Sequence, residues 1–403
     1  TEAGRAVKDV TIHRSEDLSF QNNVDVISGE NGHYTFEHNT PGQQYYLKGY
    51  KNTDCRNGVS TLDLIAIQKH LLGTRKLESP YQLIAADANH NDKISVLDML
   101  ELRKLILGFY TELPHNTSWR FGNANKSLEA NYPWGFKETI EIEALGEDIK
   151  QANFVAVKIG DVTGDARPGI QGTELSARTS KTLQLEIEDT PVTSGVPVKM
   201  DITSRNFTDV IGLQLALQVK DLEITEIVSG KLDIENENFN STKDGLLYLS
   251  WNVYSPLTFG RDDILFSIIV TPIISGNLSG LVHLATSSLQ PEAYSGDNLE
   301  KINLDLVLIK PENKFSTNTL FQNNPNPFSS TTEIKFRLEN SGLATIRIFD
   351  LSGHLLKEIN GEYLSGMNKI QVSNHDLGMK DGVLICQLQC NGFLAVQRMV
   401  MMK

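Results

Sequence analysis

An internal repeat constrains the fold of this chain more than any other feature of its 403 residues. Shifting the sequence by 35 residues places the polar and apolar positions of residues 52–73 on those of residues 87–108. After each polar stretch, apolar residues recur at the spacing of one helix face: Leu62, Ile65, Ile67 and Leu71 in the first copy, and Leu97, Leu100, Leu102 and Ile106 in the second. Gly73 and Gly108 stand where helices end. The repeat therefore predicts two loop–helix units folded back to back.

The second copy carries oxygen-bearing side chains at the spacing of a calcium-binding loop. Positions 1, 3, 5 and 12 of this loop are Asp87, Asn89, Asn91 and Asp98, and the apolar position 8 is Ile94. We therefore expect calcium as the cofactor, bound by these four side chains and by the carbonyl of Lys93. Position 6 is Asp92 instead of the usual glycine, and aspartate tolerates the left-handed backbone needed there. The alternative is that Ser95 and Asp98 form only a helix capping box.

The first copy is a less complete calcium loop because the cation Arg56 stands at position 5. The candidate ligands are the side chains of Asn52, Asp54 and Asp63 and the carbonyls of Arg56 and Gly58. Asp161 and Asp165 are further candidates, since residues 160–165 again have the pattern of the first half of such a loop. Two alternatives remain: the first loop keeps its shape without metal, and residues 160–165 form an ordinary turn.

Bulk composition excludes several classes of protein. With 50 acidic and 37 basic residues the net charge is −13, which argues against nucleic-acid binding and suits an extracellular protein that takes up divalent cations. No apolar run approaches the length of a transmembrane segment. Cys386 and Cys390 would lie roughly 13 Å apart on one strand, too far for a disulfide. The length suggests about three domains, and the lack of an export signal suggests that the chain begins inside a longer protein.

Most of the remaining sequence has the alternation of β-strands. Residues 1–50 contain short strands between hairpin turns such as Pro41-Gly42, and residues 182–310 contain eight or nine strands at short spacing. In residues 318–403, Asn324-Pro-Asn-Pro327 is a rigid lead-in that docks Phe328, and Asn391-Gly392 makes the last hairpin turn. Polar segments 167–181 and 311–317 read as linkers. The predicted fold class is mainly β, with tandem β-sandwich domains and one small α-helical module of paired calcium loop–helix units.

Four resemblances follow from these motifs. Residues 1–50, with GENGHYTFEHNTPGQQYYLKGY, resemble a prealbumin-like β-sandwich spacer, and residues 51–166 resemble a type I dockerin module with an extension. Residues 182–310, with VIGLQLALQVKDLEITEIVSG, DGLLYLSWNV and DDILFSIIV, resemble a cohesin. Residues 318–403, with NTLFQNNPNPFSSTTEIKFRL and GVLICQLQCNGFLAVQRMVMMK, resemble the type A C-terminal sorting domain of the Bacteroidetes type IX secretion system. The last resemblance implies the type IX translocon as a partner and a secreted or outer-membrane cell-surface location.

The function expected from the sequence is non-enzymatic. No nucleophile elbow, HExxH motif or phosphate-binding glycine loop is present, and the nine histidines lack metal-ligand spacing. We expect the calcium-stabilised C-terminal region of a large secreted or cell-surface protein, serving cohesion, adhesion or assembly. The alternative is the non-catalytic tail of a secreted glycoside hydrolase or other hydrolase whose catalytic domain lies upstream.

A dockerin-like and a cohesin-like module in one chain imply either a protein partner of the cohesin–dockerin type or self-association. We expect any contact between them to lie on the helices at 60–73 and 95–108. The basic residues expected to face the acidic sandwich are Lys69, His70, Arg103 and Lys104. The alternative is that both modules are spacers that never touch.

Overall fold

The computed structural model describes residues 1–143, 149–168, 181–287, 289–296, 298–310, 318–364, 366–378 and 381–402. These residues fall into two compact units, Thr1–Ile309 and Lys310–Lys403. Of the two predicted linkers, residues 169–180 and all of 311–317 lie outside the described residues. The described part of the chain is mainly β-strand, as the sequence predicts.

The first part of the larger unit packs a sheet against a two-stranded ribbon. Its strands are β1 (Thr11–Ser15), β2 (Asn23–Ile27), β3 (Tyr45–Tyr50), β4 (Trp119–Asn123), β5 (Thr139–Ile142) and β6 (Phe154–Lys158). The sheet has the order β2-β1-β3-β5, and β4 pairs with β6. Ile12 and Leu47 of the sheet share one core with Trp119 and Phe121 of the ribbon. The boundary predicted at residue 50 is therefore not the edge of this sheet, because so short a segment cannot close a core of its own.

Three helices follow β3 in the chain: α1 (Thr61–Leu71), α2 (Pro80–Ala86) and α3 (Val96–Ile106). Ser60, Ser79 and Ser95 cap them, each in a capping box. Gly73 and Gly108 have φ values of 72° and 76°, which confirms the predicted helix ends. The apolar faces of α1 and α3 meet in a core that includes Leu64, Ile67, Leu102 and Ile106. The short helix α2 was not predicted, although Ser79-Pro80 is a helix-start signal.

Residues 181–310 form the predicted β-sandwich. Its strands are β7 (Thr182–Glu188), β8 (Pro191–Val192), β9 (Val198–Ser204), β10 (Val210–Val219), β11 (Leu222–Ser229), β12 (Phe239–Ser241), β13 (Leu246–Leu257), β14 (Phe266–Pro272), β15 (Gly276–Asn277), β16 (Val282–Leu284), β17 (Glu292–Ser295) and β18 (Glu300–Ile309). They pair in the order β11-β14-β9-β7-β18-β17-β10-β13-β12, with β16 also on β10 and with β8 and β15 forming a separate pair. Met200 and Ile202 are buried while Lys199 is exposed, as their alternation predicts.

The smaller unit contains β19 (Thr319–Leu320), β20 (Thr331–Leu338), β21 (Gly342–Asp350), β22 (Leu355–Tyr363), β23 (Gly366–Ser373), α4 (Asn374–Leu377), β24 (Gly382–Cys390) and β25 (Phe393–Met401). Its described strands form two sheets, β19-β20-β23 and β22-β21-β24-β25. Phe328 is buried after the two prolines, both of which follow cis peptide bonds. Cys386 and Cys390 are buried free thiols. No helix in the described residues has the length and apolar content needed to cross a membrane.

Candidate calcium loops and the helix–sandwich interface

The second loop is closed by hydrogen bonds from its backbone to its two aspartates. Asp87 Oδ1 accepts from the Asn91 N–H and its Oδ2 from the Asp92 N–H, each at 3.0 Å. Asp98 Oδ1 accepts from the Asn89 N–H at 3.1 Å, and its Oδ2 from the Ser95 N–H at 2.9 Å. Asp92 has φ 61°, the left-handed backbone expected at position 6. The carboxylates at positions 1 and 12 are thus held facing the interior of the loop.

One oxygen in this loop lacks a partner. The Oδ1 atom of Asn89 is buried and accepts no hydrogen bond from the described residues. Leaving a buried acceptor unsatisfied costs about 1–3 kcal/mol, which a cation bound to that oxygen would offset. Burial also raises the pKa of Asp87, and the charge of Asp98 adds to the effect. No group of three or more His, Cys, Asp or Glu side chains in the described chain is arranged to hold a metal. Calcium loops, however, also draw on amide and carbonyl oxygens, and this donor set fits the ion.

In the first loop, the predicted side-chain ligands Asn52 and Asp54 make other contacts or are exposed. Asn52 Oδ1 accepts from the Ser118 N–H at 2.8 Å, and its amide donates to Glu112 at 2.7 Å. Asp54 is exposed, and the guanidinium of Arg56 lies 5.9 Å from the centre of the Tyr248 ring. The carbonyl of Arg56, the ligand predicted from that residue, accepts a hydrogen bond from the Val59 N–H at 3.0 Å.

Asp63 instead contacts Thr163, which is 100 positions away in the chain. Its Oδ1 accepts from the N–H and the hydroxyl of Thr163 at 3.0 and 2.9 Å. Asp161 Oδ1 accepts from the Asp165 N–H at 3.0 Å, and its Oδ2 from the Ala166 N–H at 3.0 Å. These bonds repeat those of the second loop, with Asp161, Thr163, Asp165 and Asp63 in the places of Asp87, Asn89, Asn91 and Asp98. We call residues 161–166 together with 57–63 the split loop.

The two halves of the split loop are joined by side-chain contacts. The Asn57 amide donates to the Arg167 carbonyl at 3.0 Å, and its Oδ1 accepts from the Arg167 N–H at 3.1 Å. Gly58 has φ 73°, and a Cβ on it would lie 2.6 Å from Ala166. Only glycine allows the two segments to approach this closely. The sequence offered Asp161 and Asp165 as further candidates for the site that includes Asp63, and the structure places their carboxylates near it. Thr163 was not predicted.

The split loop contains three carboxylates, of which Asp63 is fully buried, Asp161 is partly buried and Asp165 is exposed. Burial raises the pKa of Asp63 well above its usual range, and the carboxylates of Asp161 and Asp165 raise it further. Burial lowers the pKa of the neighbouring Lys158 to about 8, while its ammonium donates to the Cys55 carbonyl at 2.8 Å. A cation bound beside Asp63 would offset the cost of burying its carboxylate, and hard oxygen donors suit calcium.

Helix α1 is attached to the sandwich by buried polar contacts. The Thr61 N–H donates to Gln214 Oε1 at 2.7 Å, and the hydroxyls of Thr61 and Ser250 are 2.7 Å apart. About two turns further along α1, the Asn252 amide donates to Gln68 Oε1 at 3.0 Å. Since these groups are removed from water, each depends on its partner across the contact.

Apolar packing and helix α3 complete the interface. Leu62 and Ile65 pack against Ile211 and Tyr294, and Gly212 leaves room for Ile65. Arg103 donates to Asn252 at 2.7 Å and to Glu237 at 3.1 Å. Contact on the two predicted helices is therefore confirmed, and the alternative that the modules never touch is wrong.

Two of the other basic residues expected at this contact, Lys104 and His70, contact residues outside the sandwich. Lys104 lies over the Tyr110 ring, 5.6 Å from its centre. His70 Nδ1 accepts from the Leu77 N–H at 3.1 Å. Lys69 is buried, with 6% of its surface exposed. Arg103 is thus the predicted cation for which a sandwich contact is described.

Comparisons with known proteins bear on the smaller unit most directly. Residues 324–402 match the family described as "Secretion system C-terminal sorting domain". No curated protein matches the chain. Among solved structures, the chain is similar to a cohesin–dockerin complex from Clostridium thermocellum (12% identity, 31% of this chain and 94% of that one, TM-score 0.24). It is also similar to a non-cellulosomal cohesin from Archaeoglobus fulgidus (12% identity, 32% and 94%, TM-score 0.24).

Dimeric latent PorU from Porphyromonas gingivalis is a further similar structure (11% identity, 62% of this chain and 22% of that one, TM-score 0.19). Structural similarity this low indicates no function for the chain. The match to the sorting-domain family is informative: it indicates that the protein is exported by type IX secretion and is secreted or attached to the cell surface.

Proposed function

We propose that this chain is a non-catalytic, calcium-stabilised region of a secreted or cell-surface protein. In this proposal, residues 318–403 engage the type IX translocon. Residues 1–309 form a stiff spacer that supports cohesion or adhesion. The observation that carries the proposal is the docking of α1 on the sandwich of the same chain, through Thr61, Gln214 and Ser250.

Self-docking favours a spacer over a receptor for other chains. Undocking would leave the Thr61 and Gln214 groups without partners and would expose Ile65 and Tyr294. Because both surfaces belong to one chain, their effective concentration is far above that of a free competitor. The dockerin-like helices and the cohesin-like sandwich therefore engage each other and stiffen the unit.

Calcium is proposed at two places. The second loop would hold one ion through Asp87, Asn89, Asn91, Asp98 and the carbonyl of Lys93. The split loop would hold another through Asp161, Thr163, Asp165 and Asp63, in place of Asn52, Asp54 and Arg56. Calcium neutralises carboxylates that otherwise repel one another, so its binding favours the folded state.

Calorimetric titration of the full chain with calcium chloride tests this role. The binding isotherm of wild-type protein should fit two calcium sites. The double variant Asp87→Ala, Asp98→Ala should lose one of them. The matched control Asp221→Ala, Asp233→Ala changes two aspartates of the sandwich and should keep both sites. A wild-type isotherm indistinguishable from dilution would contradict the proposal.

A further inference from the structure

We propose that Lys301 of the sandwich is a built-in counter-cation of the split loop and weakens calcium binding there. The inference rests on the proposed calcium role and adds a specific residue that sets the affinity of one site. It also implies that the two sites of this chain bind calcium with different strengths.

The position of Lys301 carries the proposal. It lies on β18, and its ammonium is 2.8 Å from Glu292 Oε1 and 3.6 Å from Asp165 Oδ2. Asp165 occupies position 5 of the split loop, where the second loop has the neutral Asn91. A lysine of the sandwich thus already pairs with a carboxylate offered to the metal.

Glu292 places the same lysine beside the docked helix. The Tyr294 hydroxyl donates to Glu292 Oε2 at 2.9 Å, and the Tyr294 ring packs with Leu62 and Ile65 of α1. Tyr294 is fully buried, so the arrangement of Glu292 and Lys301 is fixed only while α1 is docked.

The consequence for calcium follows from charge. A calcium ion at Asp165 would lie within a few ångströms of the Lys301 ammonium, and the two cations repel. The lysine is about one-third exposed, so solvent and salt reduce this repulsion. Removing the positive charge should then tighten calcium binding at the split loop by about fivefold. Without metal, the same ammonium neutralises Asp165 and lets the loop keep its shape.

The test is calcium titration of the full chain with Lys301→Met, which keeps the stem of the side chain and removes its charge. In the Asp87→Ala, Asp98→Ala background variant the second loop no longer binds calcium, so the remaining binding heat comes from the split loop alone. There, Lys301→Met should tighten binding about fivefold, and Asp165→Asn should weaken it. The control is Lys199→Met, since Lys199 pairs with Asp201 at 3.0 Å on the same sandwich. It should leave the affinity unchanged.

Three results would contradict the inference, and each has a different consequence for the proposed calcium role. Equal affinities for wild-type and Lys301→Met protein would refute Lys301 as the counter-cation and leave the calcium role standing. No heat in the background variant would show that the split loop takes up no calcium. No calcium binding by the wild-type protein would refute the proposed function as well. If the background variant is unfolded by circular dichroism, a two-site fit to otherwise wild-type protein gives the same comparison.

Discussion

The backbone N–H of Thr61 donates a 2.7 Å hydrogen bond to Oε1 of Gln214, from the first turn of helix α1 to strand β10 of the sandwich. Both residues are buried, with 0% and 2% of their surfaces exposed. An amide removed from water in this way depends on its acceptor for the hydrogen bond that it would otherwise make to solvent. The contact therefore makes the loop–helix units and the sandwich depend on each other.

Replacing Gln214 by leucine should destabilise the larger unit by about 1–3 kcal/mol, because the Thr61 N–H is left buried without an acceptor. Urea unfolding followed by fluorescence measures the change. Gln184→Leu on the exposed face of β7 is the matched control and should be close to neutral. Equal losses of unfolding free energy for the two variants would show that the Thr61–Gln214 hydrogen bond contributes nothing to stability.

Gly212 and Ile65 should be energetically coupled across the interface. A Cβ at residue 212 would lie 2.8 Å from Ile65 Cδ1, so Gly212→Ala should cost about 1–3 kcal/mol through overpacking. Ile65→Val removes that Cδ1 atom, and the double variant should therefore lose less than the sum of the single variants. If the losses of stability add in a double-mutant cycle, the two residues are not coupled and the contact is contradicted.

Asn89 should matter only when calcium is present. Its buried Oδ1 accepts no hydrogen bond in the metal-free loop, so Asn89→Ala should not lower the melting temperature in chelator. In excess calcium the variant should lose most of the stabilisation that wild-type protein gains. Asn240→Ala is a control at the interface, where the amide donates to the Leu107 carbonyl. It should lose stability with or without calcium, and the same behaviour from Asn89→Ala would argue against a ligand role.

The smaller unit should weaken in acid because of Asp376. Hydrogen bonds from the Ser373 hydroxyl and backbone, and then Lys357, lower the pKa of this carboxyl from 3.8 to about 2. A carboxyl with a lowered folded-state pKa stabilises the fold above pH 3.8, and the contribution is lost as the pH falls towards 2. Asp376→Asn should flatten the dependence of melting temperature on pH in that window. An unchanged slope would contradict the assignment.

Local features of this fold can be predicted from the sequence, but contacts between segments far apart in the chain cannot. Helices α1 and α3, their glycine ends and the long strands β9, β10 and β13 follow from periodicity within each segment. The split loop does not, because Asp63 and Thr163 are 100 residues apart and only tertiary folding brings them together. Strand β17 is four residues long, too short for a periodic signal, yet it supplies Tyr294 and Glu292 to the interface.

The sorting role of the smaller unit is tested by transplantation. Residues 318–403 fused behind a periplasmically exported reporter should carry it outside a host that has a type IX system, since residues 324–402 match the sorting family. A fusion to residues 181–310, the sandwich of the larger unit, is the control and should stay in the periplasm. Retention of both fusions would show that the segment is no export signal.

Scanning calorimetry of the full chain with calcium or chelator tests the docked, calcium-stabilised unit most directly. Residues 1–309 should melt in one transition that includes the sandwich and shifts upward with calcium. Residues 310–403 should melt separately, with no calcium response. Gln214→Leu should split the first transition into a calcium-sensitive part and an insensitive sandwich. A wild-type sandwich that already melts apart from the calcium-sensitive part would contradict the account.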